Sequence, residues 1–195
     1  MRPVTHSGIG ARPARGVSLI EVLVAILVVS FGILALSGLL GAATRYGKTS
    51  EYRSTATLLA ADIADRMRAN MPALDPTADL PNPPGAINAY DITEEWHELS
   101  GPPAAQPCNP CTPAQMAAMD KAEWQRALYY GLPNGMGYLS YNNTERSADV
   151  WVAWLDPAAS GDEARFGDGN QRQECPPGFR NQSPQPRCMY FRVGL

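Results

Sequence analysis

An α+β fold, one long N-terminal helix packed on a small antiparallel sheet, is predicted from three observations. An uncharged apolar run, Val22 to Ala43, continues without proline into helix-forming chain that reaches Met71. Beyond Leu132-Pro133-Asn134-Gly135 the apolar period shortens to two, the alternation of a half-buried strand. Prolines cluster between Pro72 and Pro113 and from Pro176 to Pro186, which predicts loops there rather than a helical bundle.

The elements follow in order. Residues 1–16 are basic, rich in Gly, Pro and Ala, and without helical period; they read as a leader. Residues 17–43 read as the transmembrane half of the helix, since a span needs roughly 20 apolar residues. Residues 44–71 read as its soluble half. Ala56, Leu59, Ile63 and Met67 recur there at spacings of three and four, while Asp62, Asp65, Arg66 and Arg68 occupy other faces. One helix from Ser18 to Asn70 would run ~80 Å at 1.5 Å per residue, and Pro72 is expected to end it.

Residues 72–195 are expected to form the globular domain. Ile87 to Leu99 suits a short helix or strand within a loop that extends to Pro113. Thr112 is placed to cap a second helix, Pro113 suits its first position, and Ala114 to Tyr130 carries Met116, Met119, Trp124 and Leu128. Gly131 should stop it. Gly137 to Tyr141, Val150 to Leu155 and Cys188 to Val193 read as strands, the first two joined through Asn142-Asn143-Thr144. Residues 157–186 read as polar loop. The four tryptophans, Trp96, Trp124, Trp151 and Trp154, are read as core rather than as a ligand stack.

Charge narrows the function. Removing the leader takes three of the 16 basic residues and none of the 19 acidic ones, shifting the net charge from −3 to −6. A net-acidic body offers no electrostatic reason to bind nucleic acid, and no such partner is expected. Arg2, Arg12 and Arg15 ahead of the span predict a cytoplasmic N-terminus, with the globular domain periplasmic. The four cysteines, Cys108, Cys111, Cys175 and Cys188, all follow the span. An even count on the exported side reads as disulfides. Of three possible pairings, Cys108–Cys111 and Cys175–Cys188 are favoured, each pair being close in sequence.

Glu21 is the one carboxylate near the lipid-facing run. Ser18-x-x-Glu21 fits a capping box, and an acid in the first turn suits the helix dipole. A cut between Gly16 and Val17 would free an amine one turn from Glu21. In an array of parallel, staggered helices, one subunit's amine could then pair with another's carboxylate. Such a desolvated pair would fix register more than it adds stability.

Gly16 followed by Val-Ser-Leu-Ile-Glu-Val-Leu-Val-Ala closely resembles the type IV prepilin N-terminus. The continuation Ser30-x-Gly32-Ile33-Leu34 is most similar to PilV-type minor pilins. So are Cys111-Thr-Pro-Ala-Gln-Met-Ala-Ala-Met-Asp120, Glu123-Trp124, Leu132-Pro133-x-Gly135 and the closing Cys188-Met-Tyr-Phe-Arg-Val. Val17 stands where phenylalanine or methionine is usual, and Gly38 where many major pilins carry a proline. The resemblance implies a type IV pilin-like fold and cleavage after Gly16 by a prepilin peptidase. It further implies N-methylation of Val17 and pairing of Glu21 with a neighbour's amine. It places the chain first in the inner membrane and then in the pilus, with other minor pilins and pilus subunits as partners. The expected function is priming or capping pilus assembly, with twitching motility among its consequences. A minor pseudopilin of type II secretion is the alternative.

No catalytic motif is present: there is no P-loop and no G-x-S-x-G, and no enzyme activity, cofactor or metal is expected. Cys108-Asn-Pro-Cys111 lacks the βαβ surroundings of a redox motif, and the widely spaced second cysteine pair argues against zinc. Asp162, Glu163 and Asp168-Gly169-Asn170 with Glu174 could supply calcium oxygens, but they do not match an EF-hand loop and read as a polar turn. Signal cleavage near Thr44 would compete with the Gly16 cut, but the apolar run is too long for a signal peptide's core.

Overall fold

The computed structural model describes residues 16–74, 87–142, 145–156, 174–180, 182 and 184–195. The calcium candidates Asp162, Glu163 and Asp168, and the Asn143-Thr144 link, lie outside them. The chain forms two compact units, Met1–Thr44 and Arg45–Leu195. Helix α1, Leu19–Leu74, contributes to both. It passes Pro72 rather than ending there. Pro72 is the third residue from the helix end, where the donor it removes, toward the Arg68 carbonyl, is the last turn's loss alone.

The second unit adds α2 (Pro113–Gly131) and strands β1 (Met136–Asn142), β2 (Ser147–Trp154) and β3 (Arg187–Gly194). The sheet order is β1-β2-β3, with both pairs antiparallel. Short 3-10 turns occur at Ile87–Tyr90 and Pro177–Phe179. α2 starts as its sequence dictates. The Thr112 hydroxyl accepts from the Gln115 amide, and Gln115 Oε1 accepts from the Thr112 amide, a reciprocal cap. Asn134 takes a positive φ of 50° in the turn that follows.

The main core joins α1, α2 and one face of the sheet. Ala56, Ala60, Ile63 and Met67 of α1 belong with Trp124 and Leu128 of α2 and with Leu139, Ala148, Val150 and Val152 of the sheet. Trp124 is fully buried, and its Nε1–H donates to the Leu59 carbonyl at 2.8 Å. β1 crosses so close to it that a Cβ at Gly137 would lie 2.2 Å from the indole. Only glycine leaves that room. A second cluster, on the other face of the sheet, gathers Trp96, Met136, Ala153, Phe179 and the bridged Cys175 and Cys188.

A polar network ties α1 to α2. Arg66 donates to Asp62 on its own helix at 3.0 Å and to Asp120 and Glu123 on α2 at 3.2 and 2.7 Å. Glu123 above all holds Arg66 charged, pushing its pKa above the ordinary guanidinium value. Asp120 also accepts from the Tyr90 hydroxyl at 2.6 Å, and Asn70 donates to Tyr90 at 3.1 Å and to the Pro113 carbonyl at 2.9 Å. A partly buried network, with Tyr90, Asn70 and Asp120 as its buried members, favours one docking geometry.

Burial, then the Asp120 contact, raises the Tyr90 phenol. On the sheet surface, donation to Asp149 pushes Tyr190 up to about 12. A raised phenol favours the un-ionised form in the folded state. Its stabilisation is complete below the unfolded value of 10.0 and is lost as pH rises, through about 12 for Tyr190. Residue-resolved titration of the full chain in detergent should leave Tyr90 and Tyr190 un-ionised at about pH 11. Ionisation of either one near the ordinary tyrosine value would contradict its contact with Asp120 or Asp149.

The cysteines pair as Cys108–Cys111 and Cys175–Cys188. The second bridge spans 13 residues and anchors the Pro177–Phe179 turn to β3. By loop entropy it contributes about 3 kcal/mol. Replacing Cys175 and Cys188 together by serine should lower the Tm of the detergent-solubilised chain by about 6–12 °C. An unchanged melting curve would remove it as a stabilising element.

Candidate processing and assembly site

The candidate site is the start of α1. Gly16, Val17 and Ser18 are exposed and precede any regular element, and α1 begins at Leu19. The Ser18 carbonyl accepts from the amides of Glu21 at 3.0 Å and Val22 at 3.3 Å. That tight first turn satisfies the donor a serine hydroxyl would cap. The reciprocal capping box read at Ser18 and Glu21 is therefore not formed among the described residues; Ser18 caps through its backbone alone. The Glu21 carboxylate is exposed in the first helical turn, where the dipole favours a negative charge.

From Leu19 to Leu40 the large apolar side chains are all exposed, between 45 and 90%. Such a surface must be covered by lipid or by other helices. The hydroxyls within it are already satisfied. Ser30 donates to the Ile26 carbonyl at 2.7 Å, Ser37 to Ile33 at 2.8 Å and Thr44 to Gly41 at 2.9 Å. In hydrocarbon no water would compensate an unpaired hydroxyl, so these back-bonds suit a span. α1 is continuous through Gly32, Gly38 and Gly41, and open space surrounds each. These glycines leave shallow notches where another helix can approach closely.

Residues 11–37 match the family model for the prokaryotic N-terminal methylation motif. That motif supports a type IV pilin-like protein, a pilin or pseudopilin precursor. No curated protein and no solved structure matches it. The matched segment contains Gly16, Val17, Ser18 and Glu21 and runs into the apolar helix. The motif implies processing by a prepilin peptidase and assembly with pilus components, and with the apolar helix it fits an inner-membrane anchor.

The globular unit holds other candidate groups. An open cleft of about 400 Å³ is lined by Asp91, Glu94, Lys121, Gln125 and Met136. Burial lowers the Lys121 pKa and raises that of Asp91. Lys121, Asp91 and Gln125 are nevertheless committed to structure. Lys121 Nζ donates to the Asp91 carbonyl at 3.2 Å, and the Asp91 carboxylate accepts from the Tyr141 amide at 2.8 Å. Gln125 donates to the Gly137 carbonyl and accepts from its amide, both at 3.0 Å. Asp91 and Gln125 escape sequence reasoning, since neither belongs to an apolar period or a motif. His97 Nδ1 lies 3.0 Å from the Glu95 carbonyl. Both cysteines of Cys108-Asn-Pro-Cys111 are bridged, so neither is a free thiol.

Proposed function

We propose that this pilin-like precursor is a minor pilin of the PilV type, a non-enzymatic subunit that takes part in priming or capping type IV pilus assembly. The observation that carries the reading is a prepilin motif on a membrane-length exposed helix whose continuation bears a disulfide-braced sheet. The residues that resemble minor pilins also have structural work in this fold. Thr112 caps α2, Asp120 binds Arg66 and Tyr90, and Trp124 reaches the α1 backbone.

In this reading a prepilin peptidase cuts between Gly16 and Val17 on the cytoplasmic face and the Val17 amine is methylated. The apolar half of α1 then holds the subunit in the inner membrane, and the disulfides form in the periplasm. Helix packing in lipid preassembles it with other minor pilins. Glu21 neutralises the amine of an adjacent subunit, which sets the axial register before the complex enters the pilus.

A deletion strain tests the assignment. Loss of surface pili and twitching with normal protein secretion is expected. Normal pili with failed secretion would instead make the chain a minor pseudopilin of type II secretion.

A further inference from the structure

Helix α1 changes character where the apolar run gives out. Val22 to Ala43 is 22 residues, about 33 Å at 1.5 Å per residue. Tilted by the usual ~20°, that length matches the ~30 Å hydrocarbon core of a bilayer. Ionisable residues bracket the run. Glu21 stands just before it, and Arg45 and Lys48 follow its far end, with Tyr46 between them. Thr49 comes next. It is the first residue of α1 to be partly buried, and its hydroxyl reaches Asp156 at 3.4 Å.

Arg45, Tyr46, Gly47 and Lys48 therefore form a collar that belongs neither to the apolar run nor to the packing of the second unit. All four are exposed, Tyr46 by 78%, and open space surrounds Gly47. Arg45 makes no ion pair among the described residues. Lys48 meets Glu51 at 2.7 Å, with both side chains more than half exposed, a surface pair that yields readily. Position selects the occupant more than charge does. The collar directly continues a surface that lipid must cover, and it begins where a run of membrane length ends. At about 100° per residue, Lys48, Arg45 and Tyr46 spread over about 160° of the helix. A layer that surrounds the helix reaches all three, whereas one helix lying alongside reaches one or two.

We infer that Arg45, Tyr46 and Lys48 bind the phosphate-bearing headgroups of the leaflet at the far end of the span from Glu21, and so set the depth of α1. This rests on the proposed function for placing the apolar run in the inner membrane. Each side chain suits that layer. A tyrosine ring has an apolar body and a polar tip, and settles at the headgroup level. The planar guanidinium of Arg45 matches two phosphate oxygens, and the Lys48 ammonium adds a point charge. With the far end of the run held there, its near end reaches the opposite edge of the core. Glu21 then lies at the boundary of the cytoplasmic headgroups, and the depth of its carboxylate is fixed before any neighbouring subunit arrives.

Photolabelling of the full chain in protein-free vesicles of phosphatidylethanolamine and phosphatidylglycerol tests this, with a headgroup diazirine on a trace of the phosphatidylethanolamine. The label should fall on the peptide containing Tyr46 and spare peptides from the middle of the run. A basic residue at a charged headgroup layer is worth about fivefold, so Arg45→Gln with Lys48→Gln should lower the Tyr46 label at least tenfold. Arg53→Gln, an exposed cation about two turns further along α1, should leave it unchanged. Depth gives a second reading. The described cysteines are all bridged, so Thr44→Cys or Ile33→Cys each accepts one bimane. A headgroup spin label should quench position 44 at least threefold more than position 33. A Tyr46 label indifferent to the double variant, or equal headgroup quenching at 44 and 33, would overturn the inference. A chain kept in carbonate-washed inner membranes of its own cells but unlabelled at Tyr46 sinks the collar and keeps the proposed function; a chain absent from those membranes sinks both.

Discussion

Glu21→Ala is expected to leave the amount of protein in the membrane unchanged while cutting its recovery in sheared pili at least tenfold. A carboxylate in hydrocarbon costs about 3 kcal/mol at the bilayer centre and less near the edge. Removing it therefore cannot impair insertion, and any loss must arise at assembly. Tenfold corresponds to about 1.4 kcal/mol, a modest value for one desolvated ion pair. Glu21→Gln keeps shape and hydrogen bonding without the charge and should fail as alanine does. Glu21→Asp keeps the charge on a shorter arm and should recover part of the wild-type level. Quantitative immunoblotting of membrane and pilus fractions checks all three. The Ser18 hydroxyl and the Glu21 carboxylate make no local cap, so a pure stability effect on the helix start should be small. Wild-type incorporation of the alanine variant would remove the charge role.

Trp124→Ala is expected to destabilise the globular unit by about 4 kcal/mol, within the range for emptying a buried aromatic site. The indole packs beneath Gly137 and bonds to the Leu59 carbonyl, so one residue joins α2, β1 and α1. Trp124→Phe preserves much of the packing and loses the N–H, and should cost about 1 kcal/mol for that bond, with a further packing loss. Thermal unfolding of the full chain in detergent, followed by near-ultraviolet circular dichroism, separates the two. Equal, small effects would show that the indole is not the keystone of the α1–α2–β1 junction. Gly137→Ala attacks the same contact from the other side. Its methyl would overlap the ring, and overpacking of that kind costs about 1–3 kcal/mol.

The parts of this fold that were legible in the sequence are those with a period or a cap. Ala56, Ile63 and Met67 announced the buried face of α1, and Thr112-Pro113 announced the start of α2. Strand centres were readable from β-branched and aromatic residues, but the strands extend further. β2 begins at Ser147 because register with β1 and β3 carries a polar start that propensity does not mark. Trp124 and Trp154 are buried as expected, whereas Trp151 stays partly exposed between Tyr138 and Tyr190, at the margin of the second cluster.

Long-range polar contacts were not legible. Arg66 reads as a solvent-facing charge on α1, yet it is half-buried against Asp120 and Glu123, more than fifty residues away. Gln125 and Asp91 close a sheet edge that no local pattern reveals. Pro72 illustrates the opposite error, a strong breaker signal that the last helical turn absorbs. At the candidate site, residue identity was legible and the local cap was not. The Ser18-x-x-Glu21 spacing permits the box, but the first-turn backbone bond to Ser18 competes for the same amide.

Intact-mass analysis with N-terminal sequencing of the chain purified from its native membrane tests the central claim most directly. The account predicts that residues 1–16 are absent, that the chain starts at Val17, and that the Val17 amine carries one methyl group. A chain starting near Thr44, or one retaining Met1 in cells with an active prepilin peptidase, would contradict it.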